Sequence, residues 1–270
     1  MQTERRLERF RGADRWPTDE ALSAMLDHQL GSLMGVRQAL PALAAAIEAA
    51  ADLLRDGNGR LVYAGAGASG RLAVQDGVEL FPTFGWPPER LLYLIAGGEA
   101  ALVQSREGAE DDGAAGRAEI ERHGISRGDV VVGLAASGTT AYTRAAIVAA
   151  RERGALTIAM ANNPGAPLLA EAEHGVLLDS GPEFLAGSTR MTAGTAQKIA
   201  LNLFSTQLMT ALGRVHDGLM VNVVASNAKL VERGRNMVQM ITGCSAEAAK
   251  AAHDEAGHDV KLAVLLIDGL

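Results

Sequence analysis

Three scarcities bound this chain before any motif is read. It has one cysteine, Cys244, so no disulfide can close within it. A lone thiol fits a reducing compartment. It has no block of lysines and arginines, and its net charge of −7 argues against a nucleic-acid surface. It has no unbroken apolar run near the ~20 residues of a membrane span, and charges interrupt the first residues, where a secretory signal would need an apolar stretch. The expectation is a cytoplasmic protein with neither nucleic acid nor membrane as partner. Aromatic residues are also few, at 4%.

Glycine is plentiful, at 31 of 270 residues, and it falls between short apolar runs. Such punctuation suits a protein with many tight turns. Strands are expected near 60–64, 90–95, 129–135, 155–160 and 175–179, and helices near 69–79, 99–108, 114–123, 140–153 and 165–172. Strands this short and apolar, alternating with helices, predict an α/β fold: a doubly wound, mostly parallel five-stranded sheet covered on both faces. Before it, residues 1–20 read as a polar arm, with Glu4-Arg5-Arg6-Leu7-Glu8-Arg9-Phe10-Arg11 solvated. Helical spacing then runs from Thr18 to Arg55, with a second helix starting after Pro41. Asp56-Gly57-Asn58-Gly59 is a turn. After the sheet come a long helix over 188–212, another over 219–239, and two short ones near 245–255 and 260–267. The expected organisation is 1–55 as arm and helices, 56–240 as the binding domain, and 241–270 as a short helical segment.

Two strand-to-helix turns carry the chemistry. One is Gly65-Ala66-Gly67-Ala68-Ser69-Gly70-Arg71, the other Ala135-Ala136-Ser137-Gly138-Thr139-Thr140. Backbone N–H groups at a helix start attract anions, and small residues let a phosphate come close. The first turn fits G-x-G-x-x-G, but the next strand ends in Ala96-Gly97-Gly98 with no acid to hold a ribose, so a dinucleotide is disfavoured. Ordinary capping by Ser or Thr would explain either turn alone. Two such turns on one sheet edge favour phosphate binding. No Walker loop and no G-x-S-x-G elbow is present. His253 and His258 are five apart, off one helical face, and no metal-ligand spacing appears. Two acids stand out between the turns, Glu79 before a proline turn and Glu110 in Glu107-Gly108-Ala109-Glu110-Asp111. Spacing alone gives neither a role.

Together these stretches resemble the sugar-isomerase (SIS) domain family, and within it the N-acetylmuramic acid 6-phosphate etherases. Pro82-Thr83-Phe84-Gly85, Asn163-Pro164-Gly165, Gly187-Ser188-Thr189-Arg190-Met191, Ala193-Gly194-Thr195-Ala196-Gln197-Lys198 and Thr242-Gly243-Cys244-Ser245-Ala246-Glu247 extend the likeness over about residues 60–255. The resemblance implies a carbon–oxygen lyase of amino-sugar catabolism that releases D-lactate by elimination and then hydration. It implies Glu79 as proton donor and Glu110 as the second catalytic residue, assigned as base. It implies no metal and no organic cofactor. Substrate and phosphate binding would fall to Ser69, Gly70, Arg71, Ser137, Gly138, Thr139, Thr140, Ser188 and Lys198, in a homodimer whose only other partner is a small sugar phosphate. A non-catalytic sugar-phosphate-binding regulator and an aldose–ketose isomerase stand as alternatives on the same fold. Two departures are visible: Thr192 stands where the family usually has Lys, and Asp76-Gly77-Val78-Glu79 replaces Asp-Ala-Ser-Glu. The family's helical tail also runs about two helices further.

Overall fold

The structure is a computed structural model, and it describes residues 1–55 and 57–269. Asp56, the first residue of the expected turn, and Leu270 lie outside the described residues. Contacts group the chain into two units, Met1–Asp76 with Arg90–Phe204, and Gly77–Glu89 with Ser205–Leu270.

The first unit holds the sheet. Its strands are β1 (Leu61–Gly65), β2 (Leu91–Ile95), β3 (Val130–Leu134), β4 (Leu156–Ala161) and β5 (His174–Leu177), in the order β2-β1-β3-β4-β5 with every pair parallel. The expected five-stranded parallel sheet is what forms. All five residues of β1 and all five of β3 are buried, as strands covered on both faces must be. Alternation sorts their side chains. Val62, Ala64, Val131 and Ala159 join a cluster with Ile120 of α5 (Gly113–Arg122), Ala146 and Ile147 of α6 (Ala141–Glu152) and Leu168 of α7 (Pro167–Glu171). The helix α2 (Ser32–Leu54) contacts β3, β4 and β5 and contributes nothing to that cluster, which places it on the other face.

Between β1 and β3 the strand order reverses direction, which is where ligands of such sheets bind. Gly65 pairs with Leu134, so the two strands end level, and the two Ser-Gly turns emerge side by side. At the opposite end Arg60 and Asp129 enter the same two strands. Arg60 Nε donates to Asp129 Oδ1 at 3.0 Å and its Nη2 to Oδ2 at 2.8 Å. Burial alone would raise the Asp129 carboxyl, but hydrogen bonds from the Arg60 side chain and from the Ser126 and Arg60 backbone hold it below the usual value.

The helices depart from expectation in places with physical causes. The first, α1, covers Thr18–Leu30, and α2 begins directly after Gly31 and runs through Pro41 rather than starting beyond it. Averaged over an 18-residue window, Thr18–Leu54 has a mean hydropathy of 1.3, enough by length and composition to cross a membrane; a search for unbroken apolar runs misses it. Ten buried residues of α2, from Ser32 to Leu54, supply much of that apolarity as a core face. The expected helix over 99–108 shrinks to a 3-10 turn at Glu99–Leu102, entered through Gly97 and Gly98 at positive φ and ended at Val103.

In the second unit α4 (Leu80–Phe84), α9 (Ala228–Thr242), α10 (Ala246–Glu255) and α11 (Val260–Asp268) are the complete helices. α9 starts later than its apolar pattern suggested. His216 and Leu219 exchange backbone hydrogen bonds instead, and the Asn227 side chain caps the helix by accepting from Leu230 N. Val221, Met237, Val238, Ala252 and Val260 form this unit's core. Two further helices, α3 (Gly67–Gly77) and α8 (Thr192–Ala211), begin in the first unit.

Asp129 titrates below its unfolded value of ~3.9, so the stability it contributes is fully present above about pH 5 and is lost as pH falls through 4 and below. Asp129→Asn is expected to cost roughly 2 kcal/mol at pH 7, because it leaves Arg60 half-buried without its charge partner. It should also flatten the acid limb of the stability profile. Urea titrations of both proteins from pH 3 to pH 8 would check this, and parallel acid limbs would refute it.

Candidate active site

The two turns line one cavity of about 330 Å³ in the first unit. From the first turn come Gly67, Ala68 and Ser69, from the second Ala135, Ala136, Ser137, Thr139 and Thr140, and beside them stand Glu110 and Asp111. Gly187 and Thr189 close it together with Met1 and Glu4.

The second turn is wound for its purpose. Ser137 Oγ accepts from Thr139 N and from Thr139 Oγ1, both at 3.1 Å. Gly138 sits at φ +68°, and a Cβ there would approach the Ala166 Cβ to 2.3 Å, so only glycine fits. Thr140 is the N-cap of α6, yet its side chain makes no capping bond. The first backbone donors of α6 are therefore not satisfied by the hydroxyl that stands nearest. A polarised row of N–H groups with hydroxyls around it suits a phosphate.

Glu110 lies in a 3-10 turn, Ala109–Asp111, entered through Gly108 at φ +71°. It also lines a second cavity of about 220 Å³ with Arg71, Ser105, Arg106 and Glu107. Arg71 reaches that cavity with a committed guanidinium. Its Nε donates to the carbonyls of Ala101 and Leu102 at 3.1 Å and its Nη2 to Ala101 at 2.8 Å, which pins the loop ahead of Glu110.

The structure thus brings Ser69, Ser137, Thr139, Thr140 and Glu110 to one cavity. Gly70 packs instead against β1, where a Cβ would meet the Gly65 carbonyl at 3.1 Å. Ser188 sits in the turn before α8, where its carbonyl accepts from Met191 N. Lys198 lies on α8 and donates to Asn202 Oδ1 at 2.8 Å. Asn202 in turn donates at 2.7 Å to Asp76, a buried carboxylate that also accepts from the Tyr63 hydroxyl at 3.1 Å. Burial first, and then Asp76, push the Tyr63 phenol well above its ordinary value, so it remains a donor. Glu79 belongs to the second unit, as the residue before α4.

Sequence reasoning missed Glu183. It is fully buried, and its two oxygens accept from Thr192 N at 2.8 Å and Ala193 N at 2.9 Å, an anion set on the N-terminus of α8. No local pattern announces it, because the partners lie nine and ten residues away. Thr192 is buried beside it, and its hydroxyl has no hydrogen-bond partner. In the second unit the structure also joins what spacing kept apart. Among the described residues, ligand atoms of His253, Asp254 and His258 lie within 4.8 Å of one another, because α10 ends between the two histidines and the chain turns back at positive φ. There the two Nδ1 atoms are 3.4 Å apart and Arg235 holds Asp254 at 2.8 Å. Burial, His258 and Arg235 keep His253 below its ordinary value, so neutrality is favoured.

Known proteins share the fold of this chain. Residues 114–207 match the SIS domain family, and residues 42–151 match the glucokinase regulatory protein N-terminal SIS domain. An N-acetylmuramic acid 6-phosphate etherase from Deinococcus radiodurans is 54% identical over 92% of this chain and 81% of its own length. One from Rubrobacter xylanophilus is 45% identical over 98% of this chain and 88% of its own. Among solved structures, a phosphoheptose isomerase from Francisella tularensis superposes with a TM-score of 0.53 at 17% identity, over 74% of this chain and all of that one, a likeness of fold.

Thr192→Val is expected to leave stability unchanged or slightly raised, since it removes a buried hydroxyl that bonds to nothing. Glu183→Ala should cost about 2–3 kcal/mol by stripping two charge-assisted bonds from the start of α8. Thermal unfolding of both variants decides it, and a Thr192→Val protein less stable than Glu183→Ala would contradict the assignment.

Proposed function

The chain belongs to the family of N-acetylmuramic acid 6-phosphate etherases, and we propose that its 330 Å³ cavity receives N-acetylmuramic acid 6-phosphate for cleavage to N-acetylglucosamine 6-phosphate and D-lactate. One observation carries the placement: a carboxylate, Glu110, lines the same cavity as two helix starts, one bearing Ser69 and the other Ser137, Thr139 and Thr140. The phosphate goes to Ser69, Ser137, Thr139 and Thr140, where backbone donors and hydroxyls meet.

The chemistry is elimination followed by hydration. In the open-chain sugar the C1 aldehyde acidifies the C2 proton. Glu110 takes that proton, the electron pair forms the C2–C3 double bond, and the C3–O bond to lactate breaks. Glu79 protonates the departing lactate oxygen. Water then adds at C3 as a proton returns to C2. General acid and base catalysis of this kind contributes typically 10²–10⁴-fold per group. The assignment of Glu79 rests on its place before Pro82-Thr83-Phe84-Gly85, and that of Glu110 on its sequence and its cavity.

The partner question has support in α1. None of its residues is buried, and Leu22, Leu26 and Leu30 repeat along one face with more than half of each exposed. A helix with an uncovered leucine stripe fits a homodimer in which two copies cover each other.

Glu110→Gln should abolish both D-lactate release and exchange of the C2 proton with solvent deuterium. Glu79→Gln should abolish lactate release while exchange continues. Ser137→Ala should mainly raise KM, because phosphate binding is common to ground and transition states. Lactate-release kinetics of wild type and the three variants, with deuterium exchange by NMR, test all three. A Glu110→Gln enzyme with normal turnover would end the assignment. For the dimer, Leu26→Glu is expected to halve the mass measured by light scattering, and an unchanged mass would remove α1 from the interface.

A further inference from the structure

The polar arm read as solvated is bolted to the sheet edge at its first residues. Thr3 is fully buried. Asn163, also buried, accepts through Oδ1 from the backbone N–H groups of Gln2 at 2.7 Å and Thr3 at 3.2 Å. Its Nδ2 donates to Thr3 Oγ1 at 3.1 Å and to the Ala136 carbonyl at 2.9 Å. One amide side chain thus ties the arm to the turn that carries Ser137. From the other side, Gly187 N donates to the Thr3 carbonyl at 2.9 Å. Gly187 sits at φ +78°, and a Cβ there would come within 2.8 Å of Glu4 Oε2. The bare backbone at 187 leaves room for the Glu4 carboxylate, which lines the same cavity as Glu110, Ser137 and Thr139.

A carboxylate on the wall of a cavity with an anion site has one use in binding. It accepts hydrogen bonds and repels negative charge. It cannot face the phosphate or the lactyl carboxylate. An uncharged donor is what it can hold.

We propose that Glu4 is a substrate-binding residue whose carboxylate accepts a hydrogen bond from a neutral donor of the amino sugar, a hydroxyl or the acetamido N–H, and that Asn163 is the positioning residue that keeps Glu4 in the cavity wall. The proposal rests on the etherase reading for the identity of the sugar. Glu4 adds discrimination that the phosphate cradle lacks. A ligand offering only a phosphate gains nothing from it, and a second anion in its place is rejected.

The test compares two ligands on the full chain, N-acetylglucosamine 6-phosphate by calorimetry and inorganic phosphate by competition against it. Glu4→Ala is expected to weaken the sugar phosphate at least about tenfold, the scale of a hydrogen bond to a charged group. Affinity for inorganic phosphate should stay within about twofold or rise. Asn163→Ala should reproduce the sugar-phosphate loss. Glu4→Gln, which keeps the shape of the side chain, gives the answer if either alanine variant folds poorly. Unchanged sugar-phosphate affinity in Glu4→Gln and Glu4→Ala would overturn the proposal. So would an equal proportional loss for both ligands, which would mean that the arm only braces the cavity. Wild-type protein that binds the sugar phosphate but releases no D-lactate would sink the etherase reading alone. Wild type that binds no sugar phosphate would overturn both.

Discussion

The site depends on two strands ending level. β1 and β3 are neighbours out of chain order, and their register sets Gly65 beside Leu134. The turns that follow are then side by side, and the helix starts they lead into open on one cavity. At the far end, Arg60 and Asp129 clamp the entry of the same pair, so a slip of one strand would break a two-pronged ion pair as well as the ladder. The ion pair sits at one end of these strands and the anion-binding turns at the other.

Much of the architecture was legible because it is local. Short apolar strands between glycine-rich turns announce a parallel sheet, and Ser-Gly after a strand announces an anion-friendly helix start. The missed features are non-local. The Asn163 bridge to the arm and the Asp76 bond to Asn202 join residues more than a hundred positions apart, and the Glu183 cap of α8 has no pattern at its spacing of nine residues. Helical boundaries failed where an apolar run did not carry a full helix, as over the expected 99–108, where only a 3-10 turn at Glu99–Leu102 forms. Pro41 failed as a signal in the other direction, since α2 tolerates it inside a well-buried helix.

Two carboxylates fix the long helix α8, and their settings differ. Glu183 meets its first N–H groups, a favourable place for negative charge. Asp76 meets Asn202 further along, and that amide passes the polarity on to Lys198. Thr192 stands beside a carboxylate already satisfied by backbone, and its own hydroxyl bonds to nothing. It is therefore a spare polar group rather than half of a broken pair. Glu183 takes the first two N–H groups of the helix, and Gly194 N and Thr195 N donate to the carbonyls of Thr189 and Met191.

The docking of residues 2 and 3 by Asn163 has a consequence for the order in which this protein comes into being. On the ribosome the arm is made before its anchor, which is synthesised some 160 positions later, and Gly187 later still. The intervening chain must wind β1, β3 and β4 into place before the arm has anything to hold. Closing so large a loop adds only a logarithmic entropic cost, but contacts this distant form late. The arm is thus among the last pieces to settle, and a chain with its sheet complete but its arm undocked would still lack one wall of its cavity.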